Sequence, residues 1–395
     1  MRDRRHTDAM PERPVVEDLM ATAGRALSEA WHTDVNLYLQ DPIRTLWGRH
    51  TLLLCHVETP RGVANDLPHL VVIKAAAEHN GAIFNEWAVL DWLGKIDAAA
   101  NLVPQLHGGD VDAQLIILED LGGGPTLHRV LQTHRTWAIE ALVESQRLVS
   151  VIHGATRGRH VEFQAMRELL PKGHQPPEIS VAPDALRDEM EAWGSPLPPL
   201  VLDEVMSASA DLDVGPTFQS LTFNDSCPVN RLVTGSGVRA LDLEMAAFRH
   251  PMIDGAYAAI GHLRCTAKRL RHDDGIVLPL DIRRIATDAY RQAMVAEFPE
   301  YEDDARFDAD LAAAAAVWMV EILRRTRPRV EGDKALKYFS TTSCQRTIAT
   351  LTAFSDLAEW TGRFPAIACW ADEVSGRLQS TWPDLPPLTV CASLV

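Results

Sequence analysis

The 395-residue chain lacks three features that would assign it to common protein classes. It has six cysteines, but none forms a CxxC pair or lies at a metal-binding spacing from histidine. No run of about 18 apolar residues occurs, as a membrane span would need. Acidic residues outnumber basic ones, and the formal net charge is -16. These absences argue against a zinc site, a disulfide framework, a membrane span, and nucleic acid or an anionic membrane as the main partner.

The composition indicates an ordinary globular protein, with 46% hydrophobic and 23% charged residues. Its length predicts roughly two to three lobes or domains. The N-terminal residues are polar and contain no apolar signal core, and reduced thiols are the simplest interpretation of the cysteines. We therefore expect a cytoplasmic protein with a flexible tail at residues 1–14 and with no nucleic-acid or membrane partner.

Residues 15–121 predict a small sheet with helices. Helical spacing begins at VVEDLMATAGRALSEAW. The runs TLLLCHVET (51–59) and LPHLVVIKAA (67–76) are β-rich and are separated by turn residues, which predicts a hairpin. FNEWAVLDWL (84–93) returns to helical spacing, and QLIILEDLGGG (114–124) predicts a further strand that ends at a glycine cluster. We interpret this region as an N-terminal lobe with a small antiparallel sheet.

Residues 122–395 predict a larger, mainly helical lobe. Long helical patterns cover TWAIEALVESQRLVSVIHGAT (136–156) and several segments between 255 and 382. One hairpin interrupts them, with NRLV and VRALDLE as its arms and TGSG as its turn. The predicted fold class is therefore α+β.

Three polar residues flank this hairpin. Asp225 follows the strand-like QSLTF and precedes a proline turn, so its carboxylate should project from a loop. Asn230 and Asp242 lie on the two arms, and their amide and carboxylate oxygens are ligands that Mg²⁺ prefers while it also holds phosphate. The spacing of Asp225 and Asn230 alone is weak evidence, but the hairpin and the DLE that follow make the pattern more specific.

A second element lies in the predicted sheet. Lys74 ends the apolar run LVVIK, and Glu86 follows twelve residues later in the next helix. A lysine held in this way by a helix carboxylate can be directed at the α- and β-phosphates of ATP. The alternative is a solvated lysine at a sheet edge, which the isolated pattern favours.

The order of these motifs resembles the aminoglycoside phosphotransferase and choline kinase family, which has a protein-kinase-like fold. The resemblance rests on VVIK, Glu86, IILEDLGGG, SVIHG, NDSCPVN and DLE followed by PMIDGA, and covers roughly residues 40–265. It implies two lobes with ATP and Mg²⁺ between them. The implied reaction is ATP-dependent transfer of a phosphoryl group to the hydroxyl of a small molecule, such as an aminoglycoside, choline, a sugar or an amino alcohol.

The resemblance also implies roles for individual residues. Lys74 and Glu86 would form the ion pair that orients the phosphates, and Asp225 would be the catalytic residue. Asn230 and Asp242 would hold magnesium.

Further roles concern the nucleotide and the catalytic loop. Glu119 to Leu121 would bind adenine through backbone groups, and Gly48 would mark the loop over the phosphates. Asp254 would brace the catalytic loop from the start of a helix. Two roles stay open for Glu244: it assists in binding the metal, or it faces solvent.

The chain departs from the family pattern at several positions. Phe223 and Asn224 replace the usual histidine and glycine before the catalytic aspartate, and Arg249 and His250 replace a glycine and an aspartate. The phenylalanine could replace the histidine by packing. His153 is interpreted as a core residue.

These departures keep two other functions open. One is a catalytically inactive, kinase-like regulatory protein that binds a nucleotide or another ligand. The other is a helical interaction protein whose motifs are coincidental. The phosphate lysine, the catalytic aspartate and the predicted metal ligands are all present, which favours an active phosphotransferase.

Overall fold

The computed structural model describes residues 13–43, 50–60, 67–76, 81–172, 187, 197–260, 262–263, 276–331, 343–388 and 390–394. The chain divides into two compact units. Unit 1 comprises Met1–Gly122, Glu162–Gln175 and Asp242–Met245, and unit 2 comprises Gly123–Val161, Pro176–Leu241 and Ala246–Val395. Neither unit is one continuous stretch of sequence.

Unit 1 contains a five-stranded antiparallel sheet in the order β1-β2-β3-β5-β4. Its strands are β1 (Asn36–Ile43), β2 (His50–Glu58), β3 (Leu70–Ala76), β4 (Leu106–Asp110) and β5 (Leu115–Glu119). The predicted pairing of β2 with β3 and the predicted strand β5 are confirmed. The sequence did not indicate β1 and β4, because the first contains a proline and the second two glycines, residues that are depleted in strands.

The helices of unit 1 cover this sheet. The first three along the chain are α1 (Arg13–Trp31), α2 (Ala82–Leu93) and the short α3 (Asp97–Ala100). Leu27 of α1 packs with Leu53 and Ile73 in one apolar core. Ten of the twelve residues of α2 are buried, so this helix has almost no solvent face. A charged residue within α2 therefore needs a partner from the protein.

Unit 2 is mainly helical, as predicted. In chain order the remaining described helices are α4 (Leu127–Val130), α5 (Arg135–Thr156), α6 (His160–Arg167), α7 (Pro199–Asp211), α8 (Met252–Ala259), α9 (Leu280–Met294), α10 (Asp304–Glu331), α11 (Ser343–Thr361) and α12 (Pro365–Thr381). All of them belong to unit 2 except α6, which lies mostly in unit 1. Three short antiparallel pairs accompany them: β6 (Ser220–Thr222) with β9 (Ala247–Arg249), β7 (Arg231–Thr234) with β8 (Gly237–Ala240), and β10 (His262–Leu263) with β11 (Ile276–Val277). The predicted α+β class, with a small antiparallel sheet and a larger helical part, is confirmed.

The alanine run of α10 lies in the core of unit 2. Ala312 to Ala316 are each 0% exposed, and α10 packs against α8. The indole of Trp318 in α10 donates a hydrogen bond to the carbonyl of Ile253 in α8. Small side chains allow this close approach, so the run serves helix packing, as the sequence indicated. In the part of the chain that the structure describes, no helix is long and apolar enough to cross a membrane.

The predicted hairpin is formed by β7 and β8. Thr234 pairs with Gly237 across a two-residue loop, and the Thr234 hydroxyl bonds to the Gly237 carbonyl at 2.8 Å. The amide of Leu241 donates to the carbonyl of Asn230 at 2.9 Å. Pairing therefore continues to the residue that precedes Asp242 in the sequence.

The glycine cluster after β5 approaches this hairpin within unit 2. A Cβ atom at Gly124 would lie 2.2 Å from the carbonyl oxygen of Val233. The next residue, Pro125, accepts a 2.9 Å hydrogen bond from the Val233 amide. Glycine is required at position 124 because no side chain fits between these backbones.

Candidate active site

Lys74 lies on a central strand of the sheet. Strand β3 pairs with β2 on one side and β5 on the other, and the Lys74 side chain is only 7% exposed. The solvated sheet-edge alternative is therefore wrong. Because a buried ammonium group is costly unless it is paired, its partners define the site.

Two carboxylates hold the Lys74 ammonium. Its Nζ donates to Glu86 Oε2 and to Asp242 Oδ1, each at 2.6 Å. Glu86 is 2% exposed and Asp242 is 28% exposed. Burial alone disfavours the charged ammonium, but Asp242 and Glu86 outweigh it and raise the pKa of Lys74. The lysine is therefore a fixed positive charge.

The segment that contains Asp242 is also tied to α2. The side-chain amide of Asn85 donates to the backbone carbonyl of Glu244 at 2.9 Å. The amide of Leu243 donates to Glu86 Oε1 at 3.4 Å. Two consecutive residues of the helix thus position both the lysine and the acidic segment.

Glu244 forms a second ionic pair. Its Oε2 lies 2.7 Å from His50 Nε2, and its side chain is 2% exposed. The solvent-facing alternative for Glu244 is therefore excluded. Burial would raise the pKa of this carboxyl group, but the hydrogen bond from His50 lowers it below its ordinary value.

Three of these side chains could bind one cation. His50, Asp242 and Glu244 each offer a ligand atom, and these atoms lie within 4.8 Å of one another. Two ligands on opposite sides of a small divalent ion are about 4 Å apart, so this spacing fits a single ion. We call His50, Lys74, Glu86, Asp242 and Glu244 the Lys74 cluster; all of them belong to unit 1.

A second aspartate organises the loop of unit 2 that carries Asp225. Asp254 lies in the first turn of α8, where its Oδ2 accepts the Phe223 amide at 2.6 Å. Its Oδ1 accepts the Asn224 amide at 3.2 Å and the Ser226 hydroxyl at 3.1 Å. The predicted bracing of this loop by Asp254 is confirmed.

His153 and Tyr290 complete the surroundings of Asp254. His153 is fully buried; its Nε2 lies 3.3 Å from Asp254 Oδ2, and its Nδ1 lies 2.9 Å from the Tyr290 hydroxyl. Burial would raise the pKa of Asp254, but His153 and the Phe223 amide lower it. His153 is therefore a core residue, as expected. We call Asp254, Phe223, Asn224, Ser226 and His153 the Asp254 cluster.

Asp225 and Asn230 lie on the braced loop. Asp225 is exposed, as its position after β6 predicted. Asn230 is 8% exposed, and its side-chain nitrogen donates to the Asp225 carbonyl at 3.3 Å. Because the nitrogen of the Asn230 amide makes this bond, the amide oxygen is the atom that could bind a metal.

Phe223 occupies its position by packing. It is 2% exposed, and the guanidinium of Arg231 lies 4.4 Å from the centre of its ring. Arg231 is itself 1% exposed and donates to the Asn230 carbonyl at 3.0 Å. A cation on an aromatic face is a favourable contact, particularly away from water.

The other predicted site residues have no contact with these clusters among the described hydrogen bonds, or are outside the described residues. Glu119 ends β5, and its Oε2 accepts the Gln105 amide at 3.0 Å. Leu121 follows at the end of the first segment of unit 1. Gly48 lies outside the described residues. The adenine and phosphate-loop roles stay predictions.

Sequence reasoning missed His50 of the Lys74 cluster, Ser226 of the Asp254 cluster, and two residues, Asn85 and Arg231, that support members of the site. His50 stands at the start of β2, far from any motif in the sequence, and its pairing with Glu244 spans 194 positions. Asn85 and Arg231 are each adjacent to a predicted residue, and that adjacency was the one available signal.

No family model and no curated protein matches the chain. It is similar in structure to several solved proteins. One is a provisionally assigned aminoglycoside phosphotransferase from Ralstonia eutropha JMP134. The two share 15% identity with a TM-score of 0.47, and the match covers 86% of this chain and 93% of that chain. A choline/ethanolamine kinase family protein from Mesorhizobium loti has 12% identity, a TM-score of 0.46, and coverage of 90% and 99%. The streptomycin-ATP-APH(2″)-IIa ternary complex has 12% identity, a TM-score of 0.43, and coverage of 85% and 98%. Similarity at this level says nothing about substrate, so the chemistry is judged from the side chains.

Proposed function

We propose that the chain is an ATP-dependent phosphotransferase that transfers the γ-phosphoryl group to the hydroxyl of a small molecule. The observation that carries the proposal is the position of Lys74, 2.6 Å from both Glu86 and Asp242. In protein kinases a lysine on the third strand pairs with a helix glutamate, and an aspartate nearby holds magnesium. The same three residue types meet here although Lys74 and Asp242 are 168 positions apart.

The Lys74 cluster suits a phosphate chain. Glu86 keeps the ammonium in place, and the ammonium can attract phosphate oxygens as a point charge. Asp242 and Asn230 supply the oxygens that would hold Mg²⁺. When bound, this ion neutralises negative charge on the phosphates.

The Asp254 cluster suits the acceptor side of the reaction. Asp225 is an exposed carboxylate on a loop whose backbone amides are held by Asp254. In the proposed reaction it orients the acceptor hydroxyl and accepts its proton. A rigid loop favours this role because a preorganised group needs no rearrangement when the reaction occurs.

The acceptor is proposed to be a cationic or neutral hydroxylated molecule. The support is the formal net charge of -16, which favours the approach of cations over anions. A clear preference for anionic acceptors in an activity screen would contradict this part of the proposal.

The first test is thermal unfolding with and without ATP and excess Mg²⁺. Saturation at a hundredfold over Kd stabilises the folded state by about 2.7 kcal/mol, which raises Tm by several degrees. ADP release is then measured across hydroxylated acceptors.

A matched pair of exposed aspartates separates catalysis from folding. Asp225→Asn should keep the nucleotide-dependent rise in Tm and lose turnover. Asp213→Asn, at another exposed aspartate of unit 2, should keep both. An absent rise in Tm contradicts the proposal, whereas a rise without ADP release for any acceptor favours the inactive nucleotide-binding alternative.

A further inference from the structure

We propose that Arg231 is a positioning residue whose guanidinium connects the two ends of the loop 223–230 and so fixes the loop that presents Asp225 and Asn230. The consequence for phosphoryl transfer rests on the proposed function. The connection itself does not, because it involves only residues of unit 2.

The loop needs such a connection because of the strands that flank it. Phe223 directly follows β6, and Arg231 begins β7. Strand β6 pairs with β9 and strand β7 with β8, so the described strand pairs do not join the two ends of the loop to each other. A loop whose ends are held has fewer conformations, and less entropy is lost when it presents one side chain in one position.

Arg231 makes this connection with its side chain. Its Nη1 donates to the carbonyl of the preceding residue, Asn230, at 3.0 Å, which orients the side chain at the end of the loop. Its guanidinium lies 4.4 Å from the centre of the Phe223 ring at the start of the loop. Both residues are at most 2% exposed, and a cation on an aromatic face is more favourable away from water.

The start of the loop is itself held by the Asp254 cluster. Asp254 accepts the amides of Phe223 and Asn224, so the ring that receives the guanidinium has a fixed backbone. Burial lowers the pKa of Arg231, whereas the negative charges of Asp254 and Asp225 oppose this shift. Because an arginine stays protonated in proteins, the guanidinium is a buried cation that interacts with both carboxylates.

The burial of Arg231 indicates a role beyond folding. Its Nη2 is buried and has no hydrogen-bond partner among the residues that the structure describes. A buried charged group with an unused donor is less stabilising than an apolar side chain of similar size. Such departures from a fully satisfied core occur mainly at functional sites, and Arg231 adjoins Asn230, the proposed magnesium ligand.

The first test is Arg231→Met, which keeps an unbranched apolar side chain and removes the guanidinium. With the loop ends no longer connected, kcat should fall by about a hundredfold, the effect of a displacement of about 1 Å at a reacting group. KM for ATP should change little, because the Lys74 cluster is unaltered. Steady-state ADP release measures both constants.

Arg157→Met is the matched control. The guanidinium of Arg157 also lies 4.4 Å from the centre of a phenylalanine ring, that of Phe298, and both residues belong to unit 2. Neither residue belongs to the Lys74 cluster or the Asp254 cluster. This variant removes the same kind of contact elsewhere, so it should lower Tm and leave kcat unchanged when both variants are assayed well below their Tm.

Hydrogen exchange gives a readout that needs no activity. Mass spectrometry of the peptide 220–232 in nucleotide-free protein should show exchange about tenfold faster in Arg231→Met and unchanged in Arg157→Met, because local opening becomes easier only where the loop ends are released. If Arg231→Met does not fold, Phe223→Leu with Phe298→Leu as its control gives the same comparison from the side of the rings.

Three results would overturn the inference: unchanged exchange of this peptide in Arg231→Met, an equal fall of kcat in Arg231→Met and Arg157→Met, or a loss confined to KM for ATP. These results are distinct from failure of the proposed function. If the unaltered protein releases no ADP with any acceptor, the phosphotransferase proposal fails, and the exchange comparison alone decides the role of Arg231.

Discussion

The Lys74 cluster and the Asp254 cluster each contain a central aspartate, but the two aspartates are satisfied differently. Asp254 is 2% exposed and accepts hydrogen bonds from two backbone amides and a serine hydroxyl. Asp242 is 28% exposed, accepts from the Lys74 ammonium, and lies beside a second carboxylate, that of Glu244. The first aspartate is held by neutral backbone and hydroxyl donors, whereas the second pairs with a buried cation and keeps part of its side chain exposed to solvent.

This difference matches the proposed roles, in which Asp254 is a structural carboxylate and Asp242 a ligand-binding one. A carboxylate surrounded by fixed donors contributes to stability, and its loss affects the fold. A partly exposed carboxylate that shares its lysine with a second carboxylate is expected to contribute less to the fold, and its loss is expected to affect binding. Residue type alone would not distinguish the two.

The largest expected effect is on turnover. Asp242→Asn should lower kcat by about a thousandfold, because the charge proposed to hold the metal is removed while the size of the side chain is kept. Asparagine tolerates the positive φ of 58° found at this position. Steady-state ADP release measures the loss. The free energy of unfolding without ligands should fall less than in Asp254→Asn, because Glu86 still pairs with Lys74. An equal fall would place Asp242 with Asp254 as a structural residue.

The next effect is on stability. Asp254→Asn should lower the free energy of unfolding by about 3 kcal/mol, because an amide cannot accept hydrogen bonds at both positions and its NH₂ group faces backbone donors. Urea unfolding followed by circular dichroism measures this change. Unchanged stability would remove the distinction between the two clusters.

Acid should weaken the Asp254 cluster in a defined pH range. The folded-state pKa of Asp254 is below the ordinary value of 3.8, so its contribution to stability is complete above that value. The contribution is lost as the pH falls through the lowered pKa, because the protonated group can no longer accept from all its donors. Urea unfolding between about pH 5 and pH 2 should show a steeper loss for the unaltered protein than for Asp254→Asn. Equal slopes would contradict this linkage.

The smallest effect concerns an exposed lysine. Lys95 forms a 2.9 Å pair with Asp91 and is 59% exposed. Lys95→Met should change stability by at most about 0.5 kcal/mol, because exposed pairs are screened by water. Lys74→Met should cost several times more, since it leaves Glu86 and Asp242 without their cation. Similar values for the two variants in urea unfolding would show that the Lys74 ion pairs do not matter for the fold.

Much of the fold followed from periodicity. The runs that became β2, β3, α2 and α5 have clear alternation or helical spacing, and the structure confirms them. Strands β1 and β4 were missed because their proline and glycines hide the pattern and their stability comes from pairing with neighbours. Pairing across a sheet is a tertiary effect that a local pattern does not contain.

The candidate site divides in the same way. Lys74 and Asp242 were indicated by local motifs, and the bracing role of Asp254 came from a resemblance. His50 and Arg231 were missed because their partners are revealed only by the fold: a distant glutamate for the first and the face of Phe223 for the second. Gly48, Glu119 and Leu121 keep their roles as predictions.

The four residues Asp242–Met245 have a consequence for dissecting the chain. They group with unit 1 although the sequence on both sides of them groups with unit 2. A fragment that ends at Gly122 would contain Lys74 and Glu86 but would lack the acidic segment that accepts from Lys74 and Asn85. The complementary fragment would carry Asp242 and Glu244 without their partners. Neither fragment is therefore a self-sufficient module. Recombination or truncation after Gly122 would separate Lys74 and Asn85 from the acidic segment that they bind.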